Sequence, residues 1–372
     1  MESSTAEVSI QTENNPSLGH DTVYIGQDRV ETSWAKFVPE GKQLIDPNRA
    51  VIFLQGWPWK AEAKTTWDQP RALSEEFGIT AYEIDTKVDR VAPDSLNIEA
   101  EAIRLFLEKQ QLKEVTIFGH SEGGIRAANL AVLLEQKNPD IKINGVVLAN
   151  SMGLYPQSFL KELAPNFISE VVKVESEEQN PKMAHTFQIW LRSMVEFAKS
   201  APKNPKRFAQ EMIDMMKVNE KLKQIKAPVV VMTTEKDFVS DYRKYMPEAG
   251  VQERMAKPQS IDDLRRYAEE RFDSLPDKVQ SRYGNKESYV GQFMQKYESD
   301  EYMKKFRTRE EIARRGQARK QYISEQVLPN SNAIEVIVAT KYGSHIGLPV
   351  ERPAQTARVV SGIFERLERK AA

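Results

Sequence analysis

The segment Gly119-His120-Ser121-Glu122-Gly123 fits G-x-S-x-G, the spacing that holds a serine out of a tight turn with small residues two positions to either side. A serine hydroxyl is a weak nucleophile and needs a base. The chain has four histidines, at positions 20, 120, 185 and 345. His345, in Lys341-Tyr342-Gly343-Ser344-His345-Ile346-Gly347, is the candidate base because it lies just past the last predicted strand. His120 reads as a packing residue behind the turn, His20 as part of the N-terminal tail, and His185 as a possible substrate contact in a helical insertion. A base needs an orienting acid. Asp237, in Thr234-Glu235-Lys236-Asp237, is the candidate, with Glu235 as the alternative. The chemistry this set could do is acyl transfer, with Ser121, Asp237 and His345 as the catalytic residues. The developing oxyanion needs two preorganised N–H donors. Those of Glu122, at a predicted helix start, and Trp57, in Gln55-Gly56-Trp57-Pro58-Trp59, are the candidates. Gln55, Gly56, Trp59 and Trp190 are the candidate substrate-binding residues, and Trp67 is a further candidate for the pocket wall.

These residues require elements that bring them together. From Ala50 to about Ser151 the sequence alternates between short apolar runs and helical periodicity. Predicted strands are Val51–Leu54, Ile79–Ile84, Val115–Phe118 and Ile143–Leu148, and predicted helices are Thr66–Phe77, Ser95–Leu112 and Gly124–Gln136. That βαβαβ beat implies a mostly parallel sheet covered by helices. Ser121 then sits between a strand and a helix, as its motif requires. Two strands, Pro228–Met232 and Ala333–Val338, follow later, and a helix from Pro353 to Lys370 closes the chain. Asp237 and His345 come just after these two strands. In an open parallel sheet the carboxyl ends of the strands line one crevice, so the three residues can meet.

The division expected is a mobile tail over 1–22, a first core segment over 23–151, a helical cap over 152–226 and a core strand with the acid loop over 227–240. A charged helical insertion follows over 241–332, then the last core segment over 333–372. Residues Val23 to Pro39 alternate in the manner of two short antiparallel strands. In the cap, Phe187, Trp190, Leu191 and Met194 follow helical spacing. The second insertion carries a basic run, Lys304, Lys305, Arg307, Arg309, Arg314, Arg315, Arg319 and Lys320. It reads as a solvated helix face, with a phosphate-bearing substrate or an acidic partner as the alternative.

Composition narrows the classes. The 372 residues are 40% hydrophobic and 29% charged, with net charge -1, which gives no global reason to expect nucleic acid as a partner. The absence of cysteine removes disulfides, thiolate metal sites and a Cys nucleophile together. No secretory signal and no transmembrane run is visible. The expectation is a cytoplasmic protein with no stable membrane insertion, no metal and no cofactor, acting on a small molecule.

Gln55-Gly56-Trp57-Pro58, Gly119-His120-Ser121-Glu122-Gly123, Glu235-Lys236-Asp237 and His345, in that order, resemble the α/β-hydrolase superfamily, in particular its capped esterase- and lipase-like branches. The resemblance covers most of residues 25–151, 227–240 and 333–372. It implies an α/β-hydrolase fold with a helical cap and, in function, a serine hydrolase cleaving a carboxylic ester with an apolar acyl part. Thioester, amide or C–C bond cleavage and a catalytically silent binding protein are the alternatives. Three departures stand out. Gln55 replaces the usual histidine of His-Gly-x-Pro. The nucleophile is Ser121 and not Asp, which argues against epoxide hydrolase and haloalkane dehalogenase chemistry. The insertion between Asp237 and His345 is longer than the superfamily leads one to expect.

Overall fold

A computed structural model describes residues 15–41, 44–56, 61, 66–88, 95–154, 218–234, 261–273, 275, 280–297, 317, 319–339 and 353–371. In chain order the elements are β1 (Ser17–Ile25), β2 (Asp28–Phe37), β3 (Arg49–Leu54), α1 (Asp68–Phe77), β4 (Thr80–Val88), α2 (Ser95–Lys109), β5 (Glu114–His120), α3 (Gly123–Lys137) and β6 (Lys142–Ala149). They continue with α4 (Val218–Leu222), β7 (Val229–Thr234), α5 (Ile261–Asp273), α6 (Lys286–Tyr297), a π-helical turn (Ile323–Val327), β8 (Ile334–Ala339) and α7 (Pro353–Ala371).

The strands form one sheet of eight in the order β1-β2-β4-β3-β5-β6-β7-β8. β1 pairs with β2, and β2 with β4, in antiparallel fashion. Every other neighbouring pair is parallel. This is the mostly parallel α/β architecture read from the sequence. The central strands are near-continuous apolar runs because both sheet faces are covered. Val51, Ile52, Phe53 and Leu54 of β3 are all fully buried.

Alternation along the strands divides the core. Phe53, Ala81, Phe118, Val147 and Met232 face α1 and α7, whose Leu73, Ala357, Val360 and Phe364 complete that layer. On the other face, Trp34 and Tyr82 stack against Phe106 of α2 at 5.0 and 5.3 Å between ring centroids. Each such aromatic contributes roughly 1.5–3 kcal/mol on burial.

One boundary moves. The tail expected over 1–22 is too long: β1 begins at Ser17, and Ser17↔Lys36 through Ile25↔Asp28 form a continuous ladder. The polar, turn-rich look of residues 15–22 conceals a strand because its partner, β2, supplies the hydrogen bonds that local composition does not reveal. Trp34 of β2 lies where a side chain on Gly19 would project.

The chain divides into two compact units, Met1–Tyr242 with Tyr322–Ala372, and Arg243–Gln321. The second has a core of its own, in which Ala268 and Phe272 of α5 pack with Tyr289, Val290, Phe293 and Met294 of α6. Tyr289 meets Tyr283 edge-on at 4.8 Å. In the first unit, Ser331 Oγ donates to Ala227 C=O at 2.7 Å and Asn332 N–H to Lys226 C=O at 2.9 Å. The stretch after Tyr322 is therefore tied to the entry of β7. Most of the expected cap, including Trp190, lies outside the described residues.

Candidate active site

Ser121 occupies the sharp turn between β5 and α3, with φ of 56°. For a residue with a Cβ this left-handed backbone costs roughly 1–2 kcal/mol, so something must hold it. Three backbone hydrogen bonds do. Ser121 N–H donates to Ala149 C=O at 3.0 Å, and Ser121 C=O accepts from Gly124 N–H and Met152 N–H, both at 3.1 Å. The strain is thus fixed from β6, from α3 and from the segment after β6. Strain maintained in this way is a mark of functional turns.

The glycines of the motif are required by contact. A Cβ on Gly119 would stand 2.6 Å from Gly124 Cα, and one on Gly123 would strike the Leu54 carbonyl. β5, α3 and the end of β3 approach more closely than any side chain allows. Gly124 is equally constrained, with the Ser151 side chain where its Cβ would be.

Gly56 continues this packing to the nucleophile itself. A Cβ there would lie 2.6 Å from Ser121 Cβ, 2.9 Å from His120 C=O and 3.0 Å from Ser121 Oγ. The backbone just after β3 therefore runs directly against the serine. Glu122 occupies the N-cap position of α3 with φ of -58° and ψ of -33°, at the positive end of the helix dipole. Gln55 is 4% exposed and His120 1% exposed. Trp67 packs in the core: it is buried, and its indole N–H donates to Ala61 C=O at 2.8 Å. Trp57 and Trp59 lie outside the described residues.

So do Asp237 and His345. The structure does show the strands that precede them: β7 ends at Thr234 and β8 at Ala339. Both run parallel to the array containing β5, so they end at the sheet edge that carries Ser121. A cavity of about 300 Å³ between Leu134, Pro139, Ile141 and Pro228 opens near the starts of β6 and β7, at the opposite edge, and plays no part here. Among the described residues no helix is long and apolar enough to cross a membrane.

Sequence reasoning missed Arg126. This α3 residue is 8% exposed, with Nε 3.1 Å from Glu99 of α2 and Nη1 3.5 Å from Asp85 of β4. Burial opposes its charge, but Glu99, Asp85 and Glu122 together hold the guanidinium above its ordinary value. The network ties the first turns of α3 to the end of β4 and to α2. Arg126→Met is expected to destabilise the protein by about 2–4 kcal/mol, read from the urea unfolding midpoint. That is somewhat below the full loss for breaking a buried pair, because both carboxylates keep partial access to water. No local signal would have revealed it, since an Arg on a helix is ordinarily a surface residue.

A family model described as serine aminopeptidase, S33 matches residues 97–266. No curated protein sequence matches the chain. Among solved structures, a probable hydrolytic enzyme from Pseudomonas aeruginosa PAO1 is similar at TM-score 0.51 and 13% identity, covering 92% of this chain and 93% of that one. A membrane phospholipase A described as a bacterial virulence factor is similar at TM-score 0.51 and 13% identity, with 94% and 87% covered. The chain thus has an α/β-hydrolase-like fold, the fold that the motifs implied.

Proposed function

We propose that the protein is a serine hydrolase that cleaves a carboxylic ester of a small molecule with an apolar acyl part. The observation that carries this reading is Ser121 in a strained turn, φ 56°, at a helix start and with the Gly56 backbone pressed against it. In the proposed mechanism His345, oriented by Asp237, takes the Ser121 proton as Oγ attacks the acyl carbon. The backbone N–H groups of Trp57 and Glu122 hold the oxyanion. His345 then protonates the leaving alcohol. Water, activated by the same histidine, attacks the acyl-enzyme and releases the acid. The cap over 152–226, with Trp190, would roof the acyl site, and Gln55, Gly56 and Trp59 would line it.

The serine aminopeptidase description of the matching family model favours a second reading, amide cleavage by the same residues. One experiment addresses both. Ser121-dependent labelling by a fluorophosphonate probe is expected, followed by turnover of p-nitrophenyl esters with an optimum in acyl length. Faster turnover of aminoacyl p-nitroanilides would replace the ester reading with the amide one. Folded protein that resists the probe and turns over neither series would defeat both.

A further inference from the structure

Beside the Ser121 turn, on the sheet face that carries α1, lies a group of buried polar side chains to which the proposed mechanism gives no catalytic role. Glu83, in the middle of β4, is 1% exposed, and its carboxyl group has the Thr66 side chain as a hydrogen-bonding neighbour. Among the described residues, Gln55, which is 4% exposed, has no hydrogen-bond partner for its Oε1. Gln69, in the first turn of α1, is 1% exposed, and among the described residues neither of its amide atoms is partnered. Register brings the first two together. Glu83 pairs with Phe53 across β3 and β4, and strand periodicity puts Gln55 on the same face as Phe53. Gln55 lies one residue past the end of β3; with strands about 4.8 Å apart and a rise of about 3.3 Å per residue, its Cα stands roughly 8 Å from that of Glu83, within the span of two long side chains. Gln55 is followed at once by Gly56, the residue against Ser121.

We propose that Glu83 is a positioning residue for the end of β3, its carboxyl group engaging the Gln55 side chain and thereby holding Gly56 against Ser121. The consequence for catalysis rests on Ser121 being the nucleophile, as proposed above. Complementarity supports the pairing. Gln55 Oε1 can only accept, so it needs a donor, and a protonated carboxyl supplies one where a carboxylate cannot. Burial drives the Glu83 carboxyl well above the usual carboxylate range. A hydrogen bond from Thr66 offsets this only in part, and Asp85 adds to the rise.

Among the described residues, the other titratable groups around this face are few. His120 lies on β5, next to the row of Gln55. On α1, Asp68, Arg71 and Glu75 are half-buried and Glu76 is exposed. β2 places Ser33, Ala35 and Phe37 there, none of them charged. As pH rises through the raised value, Glu83 ionises and loses its O–H. The sign for stability follows: the folded state holds this proton more tightly than the unfolded chain, so the contribution of Glu83 is complete below the unfolded carboxyl pKa and declines as pH rises above it.

The test compares wild type, Glu83→Gln and Glu83→Leu by hydrogen exchange of the peptide containing residues 55–56 and by kcat and KM against pH. Glu83→Leu is expected to speed exchange in that peptide about tenfold. It should lower kcat about 10–100-fold, as for a misplacement on the order of 1 Å, with KM changed far less. Glu83→Gln keeps a donor and an acceptor and cannot ionise. It should restore wild-type exchange and kcat at pH values where wild-type Glu83 is protonated, and remove the part of the fall in kcat and in stability with rising pH that Glu83 ionisation causes. Wild-type exchange and kcat in folded Glu83→Leu would overturn the inference, as would pH profiles of kcat and stability unchanged in Glu83→Gln. If Glu83→Leu does not fold, the Glu83→Gln pH profiles decide. Exchange does not depend on turnover, so wild-type protein inactive on both esters and aminoacyl p-nitroanilides would sink the hydrolase reading and leave exchange to judge Glu83.

Discussion

Ser121→Ala is expected to fold normally and to lose ester turnover by about 10⁴–10⁶-fold in kcat, the scale seen when the nucleophile of a serine triad is removed. The loss should fall on kcat, because the neighbouring backbone that binds the acyl group is unchanged. Ser121→Gly sharpens the test. Both variants lack Oγ, but Ser121 sits at φ 56°, where a Cβ costs roughly 1–2 kcal/mol and glycine nothing. Glycine gives back about 0.5–1 kcal/mol through its freer unfolded chain. Ser121→Gly should therefore be more stable than Ser121→Ala by roughly 0.5–1 kcal/mol, measured by chemical unfolding, and equally inactive. Substantial turnover in either variant would remove Ser121 from the mechanism. Equal stability would mean that the turn relaxes once the side chain is small.

Gly56→Ala is the second large effect. The added methyl would enter the space of Ser121, 2.6 Å from its Cβ and 3.0 Å from Oγ. Neither partner can give way easily, because the Ser121 backbone is held by hydrogen bonds to Ala149, Gly124 and Met152. The segment after β3 must move instead, and with it the N–H proposed as the second oxyanion donor. Removing such a donor costs about 10²–10³ in kcat. We expect a loss of that size, with the far-ultraviolet circular dichroism unchanged and the fluorophosphonate reaction slowed to match. A Gly56→Ala protein with wild-type kcat would show that this segment takes no part in stabilising the transition state.

Much of this arrangement is legible in contiguous residues. The apolar runs of β3, β5 and β6 announce strands buried on both faces. Gly119 to Gly123 announces a strand–turn–helix with a strained serine, because each requirement of that turn is met by a residue within two positions of it. The placement of Asp237 and His345 after β7 and β8 is likewise a matter of chain order, and their side chains lie outside the described residues.

What local sequence does not carry is proximity between distant segments. The strand over residues 17–22 looks like tail until β2 pairs with it. Glu83 reads as one polar residue in a strand, and only the joint covering of β4 by β2, β3 and α1 makes it a buried acid. Arg126 reads as a helix surface residue until Glu99 and Asp85 close around it. Gly56 reads as a candidate substrate-binding residue of the loop after β3, and only the fold shows its backbone set against Ser121. The sequence by itself determined the periodicity, the motif and their order along the chain, because these depend on neighbours a few bonds apart. The tertiary structure decided which of those residues are desolvated and which touch, because burial and contact are created only when the sheet assembles from strands far apart in the chain.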